Sequence, residues 1–161
     1  MSFMMEIERK FLVNIDAFKK AEGITKPGKK IVQGYLNIDE PEISQVRVTI
    51  DDTGIGRINI KGNKVGFSRP EYQYDIPGDE AREIVGRIPT RIYKENYHIM
   101  FAGNEWCVQI FHDKNEGLAI AEIEIPSEDT QFEIPSWCGE EVTYNDKYYV
   151  RSLAKHPISE W

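Results

Sequence analysis

Charged and apolar residues alternate along most of this chain. If 5–13 is a strand, Glu6, Glu8, Lys10 and Leu12 share one face, and Ile7, Arg9, Phe11 and Val13 share the other. The same period of two returns at 30–38, with Gln33, Tyr35 and Asn37 opposite Val32, Leu36 and Ile38, and at 44–51, with Gln45, Arg47 and Thr49 opposite Val46, Val48 and Ile50. It recurs at 56–61 (Arg57, Asn59, Lys61 against Ile58, Ile60) and at 68–76 (Arg69, Glu71, Gln73, Asp75 against Tyr72, Tyr74, Ile76). Further runs lie at 91–102, where Lys94, Asn96 and His98 oppose Tyr93, Tyr97, Ile99 and Phe101, at 105–112, and at 118–125, where Glu122 and Glu124 alternate with apolar neighbours. Turn chemistry separates them, as in Asp51-Asp52-Thr53-Gly54, Ala102-Gly103-Asn104 and Asp113-Lys114-Asn115-Glu116-Gly117. About eight strands follow from this pattern.

The period changes once with conviction, at Ala81, Ile84, Val85 and Ile88, whose helical spacing predicts a helix capped by Asp79 behind Pro77-Gly78. Residues 14–27 read as a short helix or irregular connection, Pro126-Ser127-Glu128-Asp129 as a helix start, and 145–154 as a final helix.

A chain of 161 residues without repeat, linker or low-complexity tract fits one domain, 1–161. A formal net charge of -7 excludes a broad basic face for nucleic acid, so any basic site is local. Cys107 and Cys138 form no CxxC pair and no cluster with His, which leaves neither a disulfide framework nor a zinc site and makes a reducing cytoplasm the natural compartment. No apolar run is long enough to span a bilayer as a helix, so no membrane partner is expected, whereas a homodimer is compatible with the chain.

The polar faces carry the chemistry. Glu6, Glu8, Glu71, Glu122 and Glu124 share them with Lys10, Arg47, Lys61, Arg69 and Lys94. An ordinary sandwich would turn such faces to water. A sheet closed into a barrel with these faces inward would instead enclose a polar lumen, its apolar exterior covered by helices and loops. That lumen suits a polyanion gripped by cations, with carboxylates for a hard divalent ion that bridges to the same phosphates.

Seven segments in order resemble the CYTH superfamily, the triphosphate tunnel metalloenzymes. Glu6-Ile7-Glu8-Arg9-Lys10 resembles its ExExK signature, Gln33-Gly34-Tyr35-Leu36 its second strand, Val46-Arg47-Val48 its arginine strand and Ile60-Lys61 its lysine strand. Ser68-Arg69-Pro70-Glu71-Tyr72 is similar to its R-x-E-Y strand, Ala121-Glu122-Ile123-Glu124 to its E-x-E strand, and Gly139-Glu140-Glu141-Val142-Thr143 to the segment before its last helix. The resemblance implies an α+β, mainly β fold, an antiparallel eight-stranded closed barrel, and hydrolysis of inorganic triphosphate or of a nucleoside or thiamine triphosphate with Mg²⁺ or Mn²⁺. By position, Glu6, Glu8, Glu122, Glu124 and Glu71 would hold metal, and Lys10, Arg47, Lys61, Arg69, Lys94 and Lys147 would contact phosphate. Lys10 and Tyr35 would share a proton-transfer role.

Four positions depart from the family pattern: Thr49 and Asn96 stand where arginines are usual, Gln73 and Gln109 where carboxylates are. The losses balance in sign. They leave two other readings beside the hydrolase, a binding module with weakened turnover and an adenylate cyclase. His98, His112 and His156 are scattered and read as structural, Cys107 as a packing residue, and Trp137 as a residue that could border the tunnel mouth.

Overall fold

A computed structural model describes residues 7–24, 26–39, 45–62 and 70–161. Glu6 and Arg69, both expected in the site, lie outside the described residues. Among the described residues nine strands run antiparallel to their neighbours: β1 (Ile7–Val13), β2 (Lys29–Tyr35), β3 (Gln45–Asp51), β4 (Gly56–Lys61), β5 (Glu71–Ile76), β6 (Arg91–Phe101), β7 (Asn104–Phe111), β8 (Ala119–Ile125) and β9 (Cys138–Glu141). They form one sheet in the order β5-β4-β3-β2-β6-β7-β8-β1-β9. Three short helices accompany it, α1 (Ile15–Lys19), α2 (Gly78–Arg87) and α3 (Val150–Lys155).

Register joins the alternating faces into two continuous surfaces. Glu8 lies opposite Glu124 and Lys10 opposite Glu122; Asn96 opposes Gln109, Gln33 opposes Thr49 and Tyr35 opposes Arg47. Lys61 opposes Glu71 at the far end. One face of the sheet is therefore polar across eight strands. It is also concave: Glu124 on β8 feels the charges of Lys61 on β4 and Glu71 on β5. In a flat sheet β4 would stand five strand spacings from β8, roughly 24 Å at about 4.8 Å each, too far for such coupling.

The convex face is apolar and covered. Phe18 from α1 and Trp137 lie edge-on, 5.2 Å between ring centroids, and Trp137 meets Trp106 at 5.9 Å. These rings bury Phe11, Val108, Ala121 and Ile123 beneath them, each large side chain contributing about 1.5–3 kcal/mol. Trp137 thus belongs to the core and not to the tunnel mouth. Under α2, Ala81 and Val85 pack on Val48 and Ile50. The helix opens on Gly78, where no side chain fits: a Cβ there would fall 1.9 Å from the Gly54 carbonyl oxygen. Pro77 is its N-cap without a side-chain hydrogen bond, so Asp79 lies in the first turn and does not cap. Asn14 does cap α1, its side chain accepting from the Ala17 amide.

Two further expectations need correction. The stretch at 126–129 forms a turn and starts no helix, since no helical apolar spacing follows it before Pro135. The eight-stranded closed barrel is, among the described residues, a curled nine-stranded sheet that hydrogen bonds do not close. Its ends are β5 and β9. Closure would require β1 to offer its second edge to β5, and β9 takes that edge instead, pairing at Phe11 and Val13. A two-pronged contact holds it there, Arg9 Nε and Nη2 donating to Glu141 at 2.7 and 2.6 Å.

Candidate functional site

The concave face holds a cavity of about 630 Å³. Strands β1, β3, β4, β6 and β8 deliver Lys10, Arg47, Lys61, Lys94 and Glu122 to it, and α3 lies across one end, where Leu153 and Ala154 pack on Ile92, Phe111 and Ile120. Because these charged side chains sit at every second strand position, packing of the convex face fixes them on this side.

Lys10 is anchored between two carboxylates, donating to Glu8 and to Glu122. Burial alone would lower its pKa, but the charges of Glu122 and Glu8 outweigh it and hold the ammonium protonated beyond the usual lysine range. Glu122 is the reciprocal case: burial opposes its ionisation, Lys10 overrides that, and its carboxyl titrates below the ordinary range. Glu124 goes the other way, raised by burial and by the negative charges of Glu8, Glu122 and Glu71, with Lys61 offsetting part. Lys61 reaches Glu71 at 3.3 Å. Lys94 is only 5% exposed, and its Nζ donates to Gln109 Oε1 at 2.6 Å. Burial, then the neighbouring Arg47, push its pKa down to about 8.

Amides occupy the positions between the charges. Asn59 Nδ2 donates to Gln73 Oε1 at 3.0 Å and to Glu71 Oε1 at 3.2 Å, and Gln33 Nε2 donates to Thr49 Oγ1 at 3.3 Å. Four buried polar atoms of cavity-lining side chains have no hydrogen-bond partner among the described residues: Arg47 Nε, Arg151 Nε, Gln33 Oε1 and Asn96 Oδ1. Such atoms are rare in folded proteins, and several in one cavity mark a place for polar ligand atoms or water.

The carboxylates fit a hard divalent cation by donor type and by charge. Burial first, and then the crowding of Glu8, Glu122 and Glu71, raises the pKa of Glu124, and a cation would relieve the crowding. Among the described residues, however, no three acidic, histidine or cysteine side chains converge on one point. Lys10 accounts for this, since it draws Glu8 and Glu122 onto its own ammonium.

Of the sequence-predicted residues, Glu8, Lys10, Tyr35, Arg47, Lys61, Lys94 and Glu122 line the cavity. Glu71 and Glu124 share its face through their register with Lys61 and Glu8. Lys147 does not line it: its ammonium sits 3.8 Å from the centroid of the Trp161 ring. Arg151, which the sequence reading passed over, does. Thr143 was missed as well; it lines the cavity and its hydroxyl oxygen accepts from the Lys10 amide at 3.0 Å. Cys107 lines the cavity too, but burial pushes its thiol up to about 12, which makes it inert at neutral pH.

The CYTH domain profile matches residues 4–157. The chain is 41% identical over 159 residues to an inorganic triphosphatase of Acetivibrio thermocellus, covering 97% of each protein. It is 30% identical over 167 residues to an inorganic triphosphatase of Nitrosomonas europaea, covering 94% of this chain and 97% of that one. The crystal structure of an inorganic triphosphatase superposes with a TM-score of 0.67 at 25% identity, over 96% of this chain and 97% of that one.

Proposed function

This chain belongs to the CYTH domain family, and on that premise we propose that it is a metal-dependent hydrolase of triphosphates, with inorganic triphosphate as its substrate. The observation that carries the reading is the set of four cations, Lys10, Arg47, Lys61 and Lys94, that line one cavity whose acidic wall is β1 and β8. A linear triphosphate is an extended polyanion, and a trough crossed by cations from four strands matches it in charge and in shape.

Arg47 and Lys61 would grip phosphate oxygens, and Arg47 has a buried donor ready for one. Arg69, by the resemblance, would be a further phosphate contact. Lys94, with a pKa of about 8, gains protonation when an anion arrives beside it, so binding and proton uptake are coupled there. Glu8, Glu122, Glu124 and Glu71, with Glu6, would hold Mg²⁺ or Mn²⁺; when bound, such an ion offsets phosphate charge and makes water a better nucleophile. The paired role of Lys10 and Tyr35 in proton transfer needs a lysine that gives up its proton, whereas Glu8 and Glu122 hold this one charged. In this arrangement Lys10 would serve as a cation and hydrogen-bond donor to the substrate, and Tyr35 is buried opposite Arg47 on the neighbouring strand.

The test is product analysis with Mg²⁺ or Mn²⁺. Incubation with inorganic triphosphate, ATP and thiamine triphosphate should release phosphate, fastest from inorganic triphosphate. Cyclic AMP as the product would assign a cyclase, and tight binding without turnover a binding module.

A further inference from the structure

Resting on that reading, we propose that Arg151 is a further triphosphate-binding residue, supplying from α3 a guanidinium that Thr49 and Asn96 leave out of the sheet. Arg151 lines the same cavity as Arg47, Lys61 and Lys94. One of its terminal nitrogens donates to the carbonyl oxygens of Asn37, at 3.4 Å, and Ile38, just beyond the end of β2. Those two contacts fix the side chain between α3 and the segment after β2 without neutralising it, because both acceptors are uncharged. Asp39 feels the charge of Arg151, but its carboxylate is taken by Lys155 at 2.8 Å. Among the described residues no carboxylate makes an ion pair with Arg151.

What remains of the guanidinium is available. A guanidinium carries five N–H donors, and here Nε is buried with no acceptor among the described residues, the same condition as Arg47 Nε in the same cavity. Leaving a buried charged donor unmet is costly, and two of them lining one cavity call for an oxygen-rich anion. Phosphate is the anion whose oxygens guanidinium forks grip best. The residue resembling the family's basic position at this end, Lys147, is turned out onto Trp161. Arg151 therefore takes over the cationic role at this end of the trough.

The test is calorimetric titration of inorganic triphosphate, in EDTA so that metal does not enter, into the wild type, Arg151→Gln, Arg151→Lys and, as a control, Arg47→Ala, with Tm measured for each. Glutamine is two bonds shorter and loses both the charge and the Ile38 contact, so Arg151→Gln should weaken binding about tenfold or more with a fall in Tm of no more than roughly 3 °C for the one hydrogen bond lost. Arg151→Lys should recover part of the loss. Affinity in Arg151→Gln within about twofold of wild type, with Arg47→Ala weakened, overturns the inference and leaves the family reading standing. So does an affinity loss that follows a fall in Tm and that lysine does not recover, for the side chain then acts by holding the turn. Absence of triphosphate binding by the wild type overturns the reading of this cavity as a triphosphate site and this inference with it.

Discussion

Lys94→Met removes the most deeply buried charge in the trough and should make the protein more stable while damaging its function. The folded pKa of about 8 against the usual 10.5 means that at pH 7, where both folded and unfolded chains hold the proton, keeping Lys94 charged costs roughly 3 kcal/mol. Between pH 8 and 10.5 the unfolded chain binds more protons than the folded one, so wild-type stability rises with pH across that window. By pH 10 the cost falls to about 1 kcal/mol or less. Methionine has similar length, needs no partner and buries well, but it leaves Gln109 Oε1 without the donor now at 2.6 Å, a loss of about 1 kcal/mol. The net gain at pH 7 is about 2 kcal/mol, which for a chain of this size is roughly 4–8 °C in Tm. Thermal unfolding followed by circular dichroism at pH 7 and pH 10 reads it directly, and titration with inorganic triphosphate should show at least about tenfold weaker binding in the same variant. A Tm that falls on substitution, or a difference that stays constant from pH 7 to pH 10, would refute the assignment of Lys94 as a strained cation kept for its ligand.

Other substitutions probe the acidic wall and the departures from the family pattern. Glu8→Gln and Glu124→Gln should each weaken Mn²⁺ binding about tenfold or more in calorimetry, because a hard cation loses an anionic oxygen; unchanged affinity in both would remove β1 and β8 from the metal site. Glu122→Gln should lower Tm at pH 7, and since the Glu122 carboxyl is held below its ordinary range, the gap from wild type should close as pH falls below about 4.5; a constant gap down to pH 3 would show that Lys10 does not depend on that charge. Thr49→Arg combined with Asn96→Arg should tighten triphosphate binding about tenfold, measured by the same titration, and no gain would mean that these positions do not face the bound anion.

Much of this architecture is legible in the sequence because a strand has a rigid period of two. Once Ile7, Phe11, Val48, Ile58 and Ile123 are assigned to a core, Glu8, Lys10, Arg47, Lys61 and Glu122 must share the opposite face, and the structure brings those last five into one cavity. Closure was not legible, since it depends on which strand takes the free edge of β1. The four residues of β9 do so through a contact between Arg9 and Glu141, 132 positions apart, and no local pattern announces it. Lys147 and Arg151 failed for a different reason. Lys147 came from the resemblance and not from helical phase, and a 3-10 turn at Asp146–Tyr148 precedes α3, so the helix expected at 145–154 is not continuous and Arg151 stands on a separate turn from Lys147. At 126–129 the cap chemistry was present without an amphipathic run behind it, and caps alone do not nucleate a helix.

The central claim is that the concave polar face is where triphosphate and a divalent cation meet. A crystal structure with Mn²⁺ and a non-hydrolysable triphosphate analogue, with the metal located by its anomalous scattering, tests that most directly. We expect phosphate oxygens on Arg47, Lys61 and Lys94, with Mn²⁺ on carboxylates of β1 and β8. Triphosphate density on the convex face, or Mn²⁺ bound away from Glu8, Glu122 and Glu124, would contradict it.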